Sequence, residues 1–164
     1  SMATWEKQNS MVFIDASDTP STPAWTRVRK STVFDLAFNP ETETQDFIDQ
    51  QFPTDTLKTY KPAMEQETML EEGDELFDYM FELLQSLPTG SSAVRPVLYV
   101  FPQKAQSPSG SFVAWKVSCA LSFKSYNAVD KKLSFNLAFA GDIAYGTVAF
   151  SAGTPTFTEN ASGA

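Results

Sequence analysis

VAWKVSCALSF, residues 113–123, is the stretch that decides the fold. Val113, Trp115, Val117, Cys119, Leu121 and Phe123 alternate without a slip with Ala114, Lys116, Ser118, Ala120 and Ser122. A period of two puts the first set on one face of an extended chain and the second on the other, which is a strand with one well-buried face. Leu133, Phe135, Leu137 and Phe139 repeat the pattern against Ser134, Asn136 and Ala138, and residues 97–101 and 145–150 add two more strands. Polar turns such as Ala140-Gly141-Asp142 separate them, which predicts antiparallel meanders.

Upstream, Met11-Val12-Phe13-Ile14 reads as a short strand closed by the turn-rich residues 15–23. Between residues 25 and 38, Thr32, Phe34, Leu36 and Phe38 alternate with Val33, Asp35 and Ala37 until Asn39-Pro40 stops the run. Residues 57–70 return to extended structure, with Met64, Gln66, Thr68 and Leu70 on one face and Pro62 placing the start at an edge or bend. One helix is expected, from Asp74 to Leu87, because Leu76, Phe77, Met80, Phe81, Leu83, Leu84 and Leu87 recur at three- and four-residue spacing. Asp74 is its cap, and Glu71, Glu72, Glu75 and Asp78 set negative charge at the positive end of its dipole. A single helix leaves few parallel crossovers. The expected class is mainly β (α+β), an antiparallel β-sandwich or barrel-like set of sheets with one packed helix burying its Phe and Leu stripe. Residues 1–164 form one domain in this reading, with 1–9 and 158–164 as flexible ends.

Composition narrows the chemistry. The chain has 14 Phe and no His, so Ser-His-Asp, Cys-His and zinc-histidine sites are excluded. Cys119 is the only cysteine, which rules out an intramolecular disulfide. No stretch approaches the roughly 18 consecutive apolar residues of a membrane helix, and Ser1 to Glu6 lack the basic and apolar regions of a signal peptide. Residues 1–82 hold 17 acidic and 6 basic groups and residues 83–164 hold 3 and 6, giving the net charge of −8. Phosphate binding depends on Lys and Arg displacing counterions, so DNA binding as the main role is disfavoured. An acidic surface still lets DNA pass without sticking.

Residues 38–67, FNPETETQDFIDQQFPTDTLKTYKPAMEQE, fit neither helix nor strand for long. Connections beyond about 12–15 residues in a compact domain are uncommon and usually functional or disordered. This one carries Phe47, Ile48, Phe52, Leu57 and Tyr60, so it is expected to pack against something. Asn39-Pro40-Glu41-Thr42-Glu43, then Phe47-Ile48, Phe52-Pro53-Thr54, Tyr60-Lys61-Pro62 and Glu65-Gln66-Glu67, resemble in their order the major tail proteins, the tail-tube subunits of long-tailed phages and related prophages. The resemblance extends more weakly over most of residues 10–157. It implies a structural virion protein, made in the bacterial host cytoplasm, that joins other tail proteins. It also implies hexameric rings that stack into a tube through which DNA passes without specific binding. Residues 39–62 would then be the assembly loop or arm, with Asn39, Pro40, Phe47, Ile48, Phe52, Tyr60 and Pro62 at the subunit interface.

Other candidate groups have plainer readings. The acids Glu65, Glu67, Glu71, Glu72, Asp74, Glu75 and Asp78 show no calcium-loop spacing and read as dipole matching and a solvated face. Asp15-Ala16-Ser17-Asp18 is turn chemistry. Cys119, on the apolar face of the best strand, reads as a small buried hydrophobe. Trp115 falls in the core register, while Trp5 and Trp25 stay undecided between packing and sugar stacking. Arg27, Arg29, Lys30, Lys58 and Lys61 are too few for a nucleic-acid stripe and read as solvated groups or partners for a neighbouring subunit's acids. The expectation is therefore no enzyme, no metal and no cofactor. A carbohydrate-binding β-sandwich is the main alternative and a two-carboxylate hydrolase the third.

Overall fold

The computed structural model describes residues 11–17, 21–28, 31–45, 48, 51–106 and 110–160. Its central element is the strand read first in the sequence. It runs longer than the alternation shows, from Ser111 to Asn127, and is β8 in chain order. Along one edge it pairs antiparallel with β7 (Val94–Gln106). Its other edge is divided. Ser111 to Lys116 pair with β10 (Ala144–Ser151), and Cys119 to Asn127 pair with β9 (Lys132–Phe139). At the changeover the Ala140 amide donates to the Ser118 carbonyl at 2.7 Å, so the ladder stays satisfied where the sheet forks.

The remaining strands hang from this axis. β1 (Met11–Asp15) pairs with β7 and with β2 (Trp25–Arg27), while β6 (Ala63–Met69) pairs with β9 and with β3 (Ser31–Ala37). The order is β2-β1-β7-β8-β9-β6-β3, with β11 (Thr154–Glu159) added outside β10. Every pairing is antiparallel, and the sheet is sandwich-like without closing into a barrel. Residues 158–160 were expected in a flexible end, whereas Thr158 and Glu159 pair with Thr147 and Gly146 and the Asn160 amide donates to the Tyr145 carbonyl at 2.9 Å.

Two apolar clusters lie on opposite faces of β1, β7 and the first half of β8. The larger holds Ile14, Val97, Tyr99, Cys119, Leu121 and Phe135, and the smaller holds Met11, Phe13, Leu98, Val100, Ala114 and Val148. Packing on both faces explains why all five residues of β1 are buried. It also explains why residues 97–100 read as an uninterrupted apolar run rather than an alternation. Beyond Cys119 the outer face of β8 opens to solvent, and there the alternation holds as read.

The helix, α1 (Glu75–Ser86), covers the larger cluster with Leu76, Met80 and Leu83. The Asp74 carboxylate accepts from the Leu76 amide at 3.2 Å, and Leu87 ends the helix in the left-handed region with its amide donating to the Leu83 carbonyl at 2.9 Å. The expectation that the whole stripe is buried is corrected at two positions, since Phe81 is 50% and Leu87 61% exposed. With 3.6 residues per turn, Phe81 lies roughly 140° around the axis from Leu76, and Leu87 sits past the last helical turn. Phe81 stacks instead on Phe77, ring centroids 5.7 Å apart.

Gly146 in β10 is where β11 comes closest. A Cβ there would lie 2.1 Å from the Thr158 carbonyl oxygen, whereas at Gly141 the nearest atom would be 3.8 Å away. Gly146→Ala should destabilise the fold by about 1–3 kcal/mol, the usual range for overpacking, and Gly141→Ala should be near neutral. Urea unfolding of the two variants checks this; equal midpoints would disprove the close approach.

Candidate functional site

Residues 39–62 are not the irregular loop that their sequence suggests. β4 (Pro40–Gln45) and β5 (Thr54–Tyr60) pair with each other in a two-stranded sheet of their own. The ribbon continues the β3–β6 hairpin in register: Ala37 faces Ala63, and after a break at Phe38-Asn39 and Lys61-Pro62, Pro40 faces Tyr60. The proximal half of this long hairpin lies in the main sheet through β9. The distal half is an arm whose β5 is exposed at every residue.

Asn39 makes the break. Its φ of 47° lies in the left-handed region, which Asn tolerates better than most residues. Its side-chain amide donates to the Lys61 carbonyl at 3.0 Å, while the Lys61 amide donates back to the Phe38 carbonyl at 3.0 Å. Pro62 is tied to the body because its carbonyl accepts from the Phe139 amide at 2.9 Å. Pro40 and Pro62 flank this bend, where a missing donor does the least harm.

A β-bulge accounts for the irregular spacing along the arm. Glu41 faces Thr59 and Thr42 faces Leu57, so Lys58 is the extra residue. Leu57 and Tyr60, three apart, would otherwise point to opposite faces. The bulge puts both on the face that carries Pro40, Thr42 and Thr44, where Thr44 donates to Asp55 at 2.7 Å. Glu41, Glu43 and Gln45 share the other face with Thr59, Thr56 and Thr54, and Glu41 pairs with Lys61 at 3.3 Å.

At the root of the arm, Phe38, Pro40, Tyr60 and Pro62 form one side of a groove of ≈ 660 Å³. Trp115, Ile143 and Tyr145 form the other. The Trp115 ring stands edge-on to Tyr145 (5.8 Å, 83°) and to Phe101 (5.0 Å, 69°), which connects the groove floor to the larger core. Of the seven residues singled out in sequence, Pro40, Tyr60 and Pro62 line this groove and Asn39 sets the bend beneath it. Ile48 and Phe52 sit at the arm's tip, 107% and 72% exposed. Phe47 lies outside the described residues. Phe38, Trp115, Ile143 and Tyr145 were not singled out as site residues. Only the strand register, which aligns Trp115 with Tyr145, brings them together.

The other candidates are placed as follows. Glu71, Glu72, Asp74 and Glu75 border a shallow cleft of ≈ 460 Å³ with Thr26 and Arg27, and no three potential ligands converge as a metal set among the described residues. Glu65 and Glu67 pair with Lys124 and Lys132. The Asp15 carboxylate is buried and closes its turn, accepting from the Ser17 amide at 2.9 Å, the Ser17 hydroxyl at 2.7 Å and the Ala24 amide at 2.9 Å. Trp25 packs half-buried against the smaller core, while Trp5, Arg29 and Lys30 lie outside the described residues. Among the described residues no helix is long and apolar enough to cross a membrane.

No protein-family model and no curated protein matches the chain. Among solved structures it is similar to chains of contractile and prophage-derived assemblies. One is in the 6-fold symmetrised baseplate of the anti-feeding prophage (TM-score 0.44, 9% identity, covering 85% of this chain and 93% of that one). Another is in that prophage's tube-terminating cap (0.44, 12%, 83% and 87%). A third is in the PVC sheath-tube complex of an extracellular contractile injection system in its extended state (0.46, 10%, 88% and 97%). At such scores the likeness carries no argument about what this chain does.

Cys119 is buried at the centre of β8, and burial pushes its thiol up from 9.0 to about 12. Its stabilising contribution is complete below pH 9, the unfolded value, and is lost as pH rises through the folded one. Native protein at pH 8.5 should therefore resist a thiol reagent, reacting at least tenfold faster in urea. Equal labelling rates in the two states would show an accessible thiol.

Proposed function

We propose that this chain is a non-enzymatic structural subunit that assembles with copies of itself, through the β4–β5 arm, into rings stacked as a tail tube. Six copies per ring, a place in a virion tail beside other tail proteins, and DNA passing through the tube are what the sequence resemblance adds. The observation that carries the reading is the arm itself. An isolated two-stranded hairpin is at best marginally stable in water. This one leaves the outer edges of β4 and β5 unpaired among the described residues and exposes Ile48, Phe52, Leu57 and Tyr60. A surface of that kind costs less free energy once a neighbour covers it. Contacts between unlike surfaces of identical copies close into rings or continue as open stacks.

The outer face of β3, β6, β9 and the second half of β8 supports the same reading. Asp35, Ala37, Ala63, Glu65, Ser118, Ala120, Ser122, Ser134, Asn136 and Ala138 alternate there with core residues. These side chains are small or polar, Met69 lies at the edge of the same face, and the neighbouring lysines Lys124 and Lys132 are paired with Glu65 and Glu67. A channel wall of this composition offers a passing polyphosphate few unpaired cations.

The aromatic groove is the observation that favours a sugar-binding module. Among the described residues its lining offers the Tyr60 and Tyr145 hydroxyls and the Trp115 N–H as polar side-chain groups, few for orienting a polyhydroxylated ligand. Replacing Ile48 and Phe52 together by Asp should leave the far-UV spectrum and the melting temperature within a few degrees of the parent. Rings and tubes, scored by sedimentation and negative-stain microscopy, should be lost. Unchanged tubes in that double variant would refute the arm's role.

A further inference from the structure

We propose that the groove at the root of the arm receives the arm tip of a second copy, with Phe52 and Ile48 as the inserted side chains. This rests on the self-assembly reading above and names its contact.

Knob and hole are both present in one chain. Among the described residues, Ile48 and Phe52 are the most exposed of the large apolar side chains near the tip, and the groove wall carries no charged side chain. Its ≈ 660 Å³ lies within the roughly 300–1,000 Å³ of clefts that enclose small ligands, ample for two such side chains. The chain cannot fill its own groove. Five residue steps separate Pro40 at the root from Gln45 near the tip, which at roughly 3.3 Å per residue holds the tip about 17 Å or more from the groove. A tip that fills this groove therefore comes from another copy, which presents the same side chains.

Charge leaves the contact to the apolar groups: Lys61, at the arm's root, is paired with Glu41 at 3.3 Å, and Asp142 stands exposed beside Ile143. Because tip and groove are different surfaces, the contact is heterologous, and each copy can give one tip and accept another.

The test uses two exposed positions that leave every knob and groove side chain intact: Gln51→Cys beside Phe52 and Asp142→Cys beside Ile143. Each variant is made in the full chain, and the two are mixed, assembled and oxidised, with buried Cys119 left in place as an unreactive control. The expected result is a disulfide-linked dimer of the two variants, at least tenfold more abundant than in either variant alone and confined to the assembled fraction. Assembled particles without that link, or with residue 51 trapped by a cysteine elsewhere, would overturn the groove as acceptor and leave self-assembly standing. Wild-type protein that stays monomeric at all concentrations would overturn both. Protection of the Asp142→Cys thiol by an oligosaccharide, with no cross-link, would assign the groove to a sugar instead.

Discussion

The length of β8 is the constraint on which the other elements depend. Seventeen extended residues reach roughly 55 Å, more than β9 or β10, each of 8 residues, can cover. Two strands therefore share one edge, and the sheet forks between Lys116 and Cys119. From that fork come the two cores: one covered by α1, the other bounded by β10 and Phe157 of β11. Shortening β8 would remove the common strand that makes the fork possible.

The hairpin β3–β6 divides at Asn39 into a half with neighbours and a half without. Its inner pairs lean on β9, whose partner faces are filled by Leu133, Phe135 and Leu137. Among the described residues the outer pairs have no strand beyond each other, and their side-chain contacts are surface ones such as the Thr44–Asp55 bond and the Glu41–Lys61 ion pair, the latter contributing only about 0–1 kcal/mol. The arm's direction is thus set at its base by the Asn39–Lys61 bonds and the Pro62 anchor rather than by packing along its length.

Elements governed by a single local period were legible in the sequence. The alternation of β8 and β9, the capped helix and the buried face of Met64, Gln66, Thr68 and Leu70 follow from spacing alone. What was not legible depends on partners far apart in the chain. The bulge at Lys58 breaks the period that would have shown β5 as a strand, and double-sided burial hides the alternation of β1 and β7. The groove needs Phe38, Trp115 and Tyr145 side by side, which only the pairing of β8 with β10 and the bend at Asn39 bring about. Phe81 stays half exposed because the sheet covers one margin of a wide apolar stripe, and spacing alone does not reveal which.

The arm projects from the body as a separate two-stranded ribbon and an aromatic hollow opens at its root, so each molecule carries two unlike surfaces. In the proposed assembly, copies joined through those two surfaces would leave a different one bare at each terminus, and a single stopper could not seal both. A partner that finished such a filament would need an apolar finger at the first end and an aromatic hollow at the second. Length control and orientation along the axis would then follow from the asymmetry of one hairpin.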